Sequence, residues 1–283
     1  MTGDWFEETL HPGLHTRLRI DKLLYEGNSD LQHLILFENP EFGRVLALNG
    51  VVQTTERDEF IYHEMLAHLP LLAHGAAREV LIIGGGDGGM LEEVLKHQAV
   101  TRATLVEIDA GVIKFSKEYL RSICGKAFED PRTEIVIADG VDHVETTEDR
   151  YDVVIVDSTD PIGPGEILFT ERFYTACKRV LAPGGVLVTQ NGVPFVQGDE
   201  LRNTLAALKP LFADTSCYTA TVPAYVGGCM AFGWATDDTD LRSVSLDALE
   251  RRYAGAKLNT RYYTPAVHRA AFALPGYIAE LIA

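Results

Sequence analysis

Positive charge is scarce in this chain. It has 25 Lys and Arg against 41 Asp and Glu, a formal net charge of −16. That balance argues against a polyanionic partner, so nucleic-acid binding is not expected. It permits a cationic ligand without proving one, because acidity also serves solubility. Cysteine is sparse as well: Cys124, Cys177, Cys217 and Cys229 are far apart and form no CxxC pair. They read as reduced thiols of a cytoplasmic protein, and no metal site is expected. His33, His143 and His268 show no ligating spacing and read as structural. No apolar run approaches the ~18 residues needed to span a bilayer, so no membrane association is expected. The opening MTGDWFEETLHPG lacks both the basic and the apolar region of a secretory leader. Repeats, low-complexity tracts and a Ser/Pro-rich linker are missing too. The two tryptophans, Trp5 and Trp234, read as packing residues.

What is present divides into two patterns. A chain of 283 residues can bury a sizeable core in one or two domains. From Thr16 to Thr55 short β runs alternate with turns, and Asn49-Gly50 between Arg44–Leu48 and Val51–Gln53 is a strong hairpin signal. A helix is expected from Glu56 to Leu72. From Glu79 onward strands and helices alternate. Strands are expected at Val80–Ile83, Thr104–Ile108, Ile135–Ile137, Val153–Val156 and Val186–Val188. Helices are expected at Met90–His97, Val112–Leu120, Phe169–Leu181 and Glu200–Leu211, and a closing hairpin at Ser216–Val222 and Met230–Ala235. The alternation implies an α/β fold with a mostly parallel, doubly wound sheet. The expected division is a small N-terminal β domain over 1–57 and an α/β domain over 58–283.

IIGGGDGGM follows one of these strands and precedes a helix. Gly84, Gly86 and Gly89 satisfy G-x-G-x-x-G, which alone is weak, since a tight βα turn accounts for it. Glu107 ends the next strand, where an acid typically holds a ribose diol. Asp139-Gly140 ends the third, where a carboxylate can accept from an adenine amine. Three successive strand ends with ligand-capable groups suggest an adenosine site. Asp87 then narrows the choice. A carboxylate at ~4 Å from a pyrophosphate would cost several kcal/mol at an effective dielectric near 20. Asp87 therefore argues for an S-adenosyl compound, whose sulfonium is positive, over a dinucleotide. The fourth strand delivers Asp157 and, in DSTDPIGP, Asp160 to the same edge. Carboxylates gathered in one pocket favour a cation.

The combination GGGDGG plus DSTDPIGP is where the sequence resembles the spermidine synthases, the polyamine aminopropyltransferases, and most closely the enteric bacterial type. GRVLALNGVVQTTERDEFIYHEM, LVEIDAGVI, PGGVLVTQNG, PAYVGG and RYYTPAVHRAAFALP extend the likeness along nearly the whole chain. The resemblance implies a methyltransferase-like Rossmann fold. It also implies transfer of the aminopropyl group of decarboxylated S-adenosylmethionine to putrescine, giving spermidine and methylthioadenosine. The donor is a co-substrate, so no resident cofactor is implied. By the same resemblance Asp157 is the general base and Tyr62 orients the amine. Gln32, Gln53, Gly84 and Gly86 contact the donor, Glu107 its ribose, Asp139 with Gly140 its adenine, and Pro164 lines the adenine side. Asp87 binds the donor's propylamine and repels the carboxylate of ordinary S-adenosylmethionine. His63, Ser158, Thr159, Asp160 and Tyr225 join Asp87 and Asp157 around the acceptor. Animal members have Gln at the position of His63; facing an ammonium, His63 is expected to be neutral and to accept. Homodimers or homotetramers are implied as well. Three rival readings stay open: another acceptor (cadaverine, agmatine or spermidine), a non-catalytic polyamine or adenosyl-compound binding protein, and a methyltransferase.

Overall fold

The computed structural model describes residues 4–159 and 163–283, with only the backbone of 163 and 164. Among these residues six strands come first: β1 (Asp4–His11), β2 (Leu14–Ile20), β3 (Lys22–Asn28), β4 (His33–Asn39), β5 (Gly43–Leu48) and β6 (Val51–Thr55). Helix α1 (Glu59–His74) follows. Then come β7 (Glu79–Gly84), α2 (Gly89–Leu95), β8 (Arg102–Glu107), α3 (Ala110–Tyr119), α4 (Arg121–Cys124), β9 (Thr133–Ile137), α5 (Gly140–Thr146) and β10 (Tyr151–Asp157). The chain ends with α6 (Glu171–Val180), β11 (Leu181–Gln190), α7 (Pro194–Leu208), β12 (Asp214–Ala220), β13 (Met230–Thr236), α8 (Leu246–Ala256), α9 (Pro265–Ala271) and α10 (Gly276–Leu281).

β1 and β2 form a two-stranded antiparallel ribbon, and β3 to β6 an antiparallel four-stranded meander. Asn49 and Gly50 both take positive φ, 51° and 82°, at the turn between β5 and β6. That is the conformation an Asn-Gly hairpin needs. Side-chain alternation gives the meander two apolar faces. Leu34, Leu36, Leu46 and Leu48 pack on Val112 and Phe115 of α3, whereas Phe37, Val45, Ala47 and Val52 pack on Phe6 of the ribbon. The ribbon is therefore stacked on the meander, and the meander on the large sheet's unit.

The large sheet has the strand order β12-β13-β11-β10-β7-β8-β9. β7 to β11 run parallel, and β13 and β12 close one end antiparallel. The strands of this interior are fully buried runs, Val80–Ile83 and Val153–Val156, as a sheet covered on both faces requires. The chain lays β8 and β9 on one side of β7, then reverses to place β10 and β11 on the other. Such a reversal opens a crevice at the carboxyl ends of the two strands on either side. Asp157 pairs in register with Gly84 at this point.

Three features differ from the sequence expectation. The α7 helix starts at Pro194, which a first turn tolerates, and kinks at Gln197 (φ −124°, ψ 33°). β11 is longer than its apolar run, because the Pro183-Gly184-Gly185 stretch that stops α6 already lies within it. Helix α1 begins three residues later than the pattern suggests, because Asp58 is drawn off by Thr55 Oγ1 (2.5 Å) and the Ala224 amide (2.6 Å). Helices α8 to α10 were not read from the sequence. The segment between α8 and α9 docks on Glu64 of α1, whose carboxylate accepts from the amides of Arg261, Tyr262 and Tyr263 at 2.7, 2.8 and 2.7 Å. This accounts for RYYTP as an anchor of the helix that carries Tyr62 and His63.

Candidate active site

A cavity of about 280 Å³ opens at the switch point between β7 and β10. Its floor is the loop after β7. Gly84 has φ +84°, and a Cβ there would lie 2.1 Å from the Asp157 carbonyl oxygen, so only glycine allows the two strand ends to meet. The turn carries Asp87, whose Oδ1 accepts from the Gly89 amide at 3.0 Å, while Oδ2 lies 3.6 Å from His63 Nε2. Glu107 closes the donor side from the end of β8. It is 8% exposed, sits beside Gly86, and accepts from the Asp109 amide at 2.8 Å. Burial pushes its pKa up to about 7 against the pull of that amide.

Gln32 reaches this wall from the loop between β3 and β4. Its Nε2 donates to Asp109 Oδ2 at 3.3 Å, and Ser29 Oγ donates to the same oxygen. Asp109 also caps α3, accepting from Gly111. One carboxylate thus ties the N-terminal meander to the β8 end, which is how a residue 75 positions before Glu107 comes to share its cavity. Gln53 enters from β6, and its carbonyl accepts from Tyr225 OH at 2.5 Å.

Asp157 sits at the opposite wall. Its Oδ1 accepts from Tyr62 OH at 2.6 Å, so the expected base and its expected orienting partner are in contact. Burial raises the Asp157 pKa to about 6; His63 opposes this and Asp87 adds to it. Ser158 and Thr159 continue the wall, with the Ser158 carbonyl accepting from Gln190 Nε2 at 3.3 Å. Asp160 lies outside the described residues, as does the side chain of Pro164.

Two expectations are modified. Asp139 and Gly140 stand at the same sheet edge but not in the cavity wall: the Asp139 carboxylate caps α5, accepting from Val141 at 2.7 Å. His63 is not a surface histidine, and it is not placed as a neutral acceptor. It is 3% exposed, with a carboxylate at each ring nitrogen. Burial alone would pull its pKa down, but Asp87, Glu59 and Asp157 reverse this and raise it to about 10. A shift in that direction favours the imidazolium, which donates from both ring nitrogens. One donor atom each of His63, Asp87 and Asp157 lies within 4.8 Å of the others. Charged, His63 has no lone pair for a metal ion, and this trio is better described as a carboxylate pair bridged by a cation.

Sequence reasoning missed part of the wall. Glu8, Leu10 and Thr16 of the β1–β2 ribbon line it, and so do Gln190 and Gln197. Gln190 ends β11 at the same edge as Asp157, so the rule that assigned the other strand ends could have found it. The ribbon carried no such signal.

The geometry agrees with comparison to known proteins. The sequence profile of the spermine/spermidine synthase domain matches residues 59–245. The chain belongs to the spermine/spermidine synthase family. A second profile, the spermidine synthase tetramerisation domain, matches residues 4–56. Among relatives, the polyamine aminopropyltransferase of Ruegeria sp. strain TM1040 is 58% identical over 98% of both chains. Polyamine aminopropyltransferase 1 of Pseudomonas aeruginosa is 55% identical over 98% of this chain and 97% of its own. A spermidine synthase crystallised with the transition-state analogue AdoDATO superposes with a TM-score of 0.94 at 37% identity. That match covers 100% of this chain and 96% of the other. The spermidine synthase of Thermotoga maritima gives 0.93, also at 37% identity, over 100% and 95%. The family assignment makes the chain an aminopropyltransferase on a Rossmann-like sheet. No helix among the described residues is long and apolar enough to cross a membrane.

Proposed function

We propose that this enzyme transfers the aminopropyl group of decarboxylated S-adenosylmethionine to putrescine, with Asp157 as the general base. The observation that carries this reading is the buried contact of Tyr62 with Asp157, one wall away from Asp87 and opposite Glu107. Adenosine lies toward Glu107 and Gln32, and the ammonium of the donor toward Asp87. Putrescine enters between Tyr62, Tyr225 and the strand end of β10. Its remote ammonium stays charged and is held by carboxylate and carbonyl oxygens. Its attacking end must first lose a proton, because an ammonium has no lone pair. Asp157 accepts that proton, with Tyr62 OH fixing the carboxylate that receives it. The nitrogen lone pair then forms a bond to the propyl carbon beside sulfur. The carbon–sulfur bond breaks, and its electrons neutralise the sulfonium as methylthioadenosine leaves. Positioning in the cavity supplies much of the acceleration. The donor is consumed as a co-substrate, and the scheme uses no metal or cofactor. The match of residues 4–56 to a tetramerisation domain supports assembly of identical chains through the N-terminal strands.

The test is a product assay with the decarboxylated donor and each candidate amine in turn, read by mass spectrometry, beside a run with ordinary S-adenosylmethionine. Methylthioadenosine together with spermidine, from putrescine and the decarboxylated donor alone, is the expected result. A better amine than putrescine would change the acceptor but not the chemistry. Equal use of the ordinary donor, or donor binding with no transfer, would overturn the reading.

A further inference from the structure

The reaction as proposed gives Glu59 no task, yet its carboxylate is the nearest partner of His63. Glu59 Oε2 lies 2.6 Å from His63 Nδ1, one helical turn earlier on α1, and the two side chains are 13% and 3% exposed. The other ring nitrogen, Nε2, faces Asp87 Oδ2 at 3.6 Å. The ring has little room to turn. The backbone at Gly89 is so close that a Cβ there would lie 2.3 Å from His63 Cε1, and the Tyr62 ring meets it edge-on at 5.2 Å. With a carboxylate at both nitrogens, either neutral tautomer would point a lone pair at an anion. The doubly protonated ring donates to Glu59 and turns a positive N–H, not a lone pair, toward Asp87.

We infer that Glu59 is a positioning residue: it holds His63 as a fixed internal cation, which keeps Asp157 ionised and ready to accept a proton. The groups facing His63 are Glu59 from α1, Asp87 from the loop after β7 and Asp157 from the end of β10, with the Tyr62 hydroxyl bonded to Asp157. Two carboxylates in one buried site would otherwise push each other toward protonation. The His63 charge is what opposes burial at Asp157 most strongly. The inference rests on the reading of Asp157 as base.

E59Q keeps the shape and an acceptor oxygen but removes the charge. The acid limb of kcat/KM should move up by roughly one pH unit, while the rate at alkaline pH stays near that of the wild type. E59D, which restores the charge on a shorter stem, should bring the limb partly back. H63Q should shift the limb in the same direction, and E59Q added to H63Q should shift it no further. A uniform loss at every pH in E59Q, or an equal shift in the H63Q background, would overturn the inference. A second measurement needs no variant to turn over. Histidine-labelled protein followed by NMR, with H63Q used to assign the signal, should show His63 still charged above pH 8. A wild-type His63 that titrates near ~6.5, its ordinary value, would sink the inference even if spermidine is made. That titration uses no substrate, so it stands or falls separately from the choice of acceptor amine.

Discussion

At the scale of single residues, the site works by bringing like charges together. Asp87 and Asp157 would repel in a buried pocket, and this suits them to cationic substrates. The same surroundings make deprotonation of the attacking amine harder, so a base is needed within reach. Asp157→Asn removes the base while keeping the size and the Tyr62 contact. Its kcat should fall by ~10²–10⁴, with donor affinity retained, as measured by single-turnover kinetics beside calorimetric binding. The wild-type pH profile follows from the same group. Asp157 protonates as pH falls through about 6, whereas the free amine gains its proton at much higher pH. Log kcat/KM should thus rise with pH throughout, with a slope near ~1 above pH 6 and near ~2 below it. An unchanged slope through that pH would exclude Asp157 as a titrating base.

At the scale of elements, the strand ends deliver most of the site and one loop completes it. Asp58, ahead of α1, is 5% exposed and accepts from both Thr55 Oγ1 and the Ala224 amide. It therefore clasps the turn that presents Tyr225. Removing it leaves an amide and a hydroxyl without their acceptor, at a cost of about 1–3 kcal/mol. Asp58→Ala should raise KM for the amine and lower the urea midpoint, and Asp58→Asn, which keeps an acceptor oxygen, should restore most of both.

The elements also show what the sequence makes legible. Continuous apolar runs such as Val153–Val156 mark buried parallel strands. Their carboxyl ends carry Glu107, Asp139 and Asp157 in a pattern that composition alone cannot mimic. Asn49-Gly50 announces its turn, because few other pairs take positive φ twice. Other features depend on contacts between distant segments and so leave no local trace. Glu64 looks like a surface acid in a helix, and its role appears only when three amides 197–199 residues away dock on it. His63 and Glu59 have the i,i+4 spacing of an ordinary exposed pair. His63 is enclosed by the backbone at Gly89, the start of α2, which no periodicity in α1 reveals.

At the scale of the whole molecule, charge acts in two ways. The net charge of −16 attracts polycations from solution, and salt screens that attraction. Raising the salt from ~0.05 to ~0.5 M should raise KM for the amine several-fold and leave kcat nearly unchanged. Buried histidines set a second dependence. Burial lowers the pKa of His68, His97 and His268 to about 3 each. In the unfolded chain they would charge near ~6.5, so the stability they contribute is present above that pH and is lost as pH falls toward 3. His63 behaves oppositely. Its contribution is complete below ~6.5 and is lost as pH rises through 10. Glu107 and Asp157, raised to about 7 and 6, offset part of the acid loss as they protonate. The melting temperature should therefore peak near about pH 6.5 and decline on both sides, as calorimetry in matched buffers would show.

The ribbon of β1 and β2 has a consequence of its own. It supplies Glu8, Leu10 and Thr16 to the cavity wall. It is held to its own chain by the Phe6–Phe37 ring pair at 5.4 Å, the Val52 amide on Glu8 at 2.8 Å, the Asn39 side-chain amide on the Arg19 carbonyl at 3.0 Å, and the packing of Leu18 and Ile20. Its other face leaves Trp5 half exposed. A two-stranded ribbon is marginal by itself and gains order from whatever covers it. If that cover is a neighbouring copy, the catalytic pocket is finished by mass action. Specific activity would then decline on dilution to nanomolar protein and recover on concentration, with no change in any residue that touches the substrates.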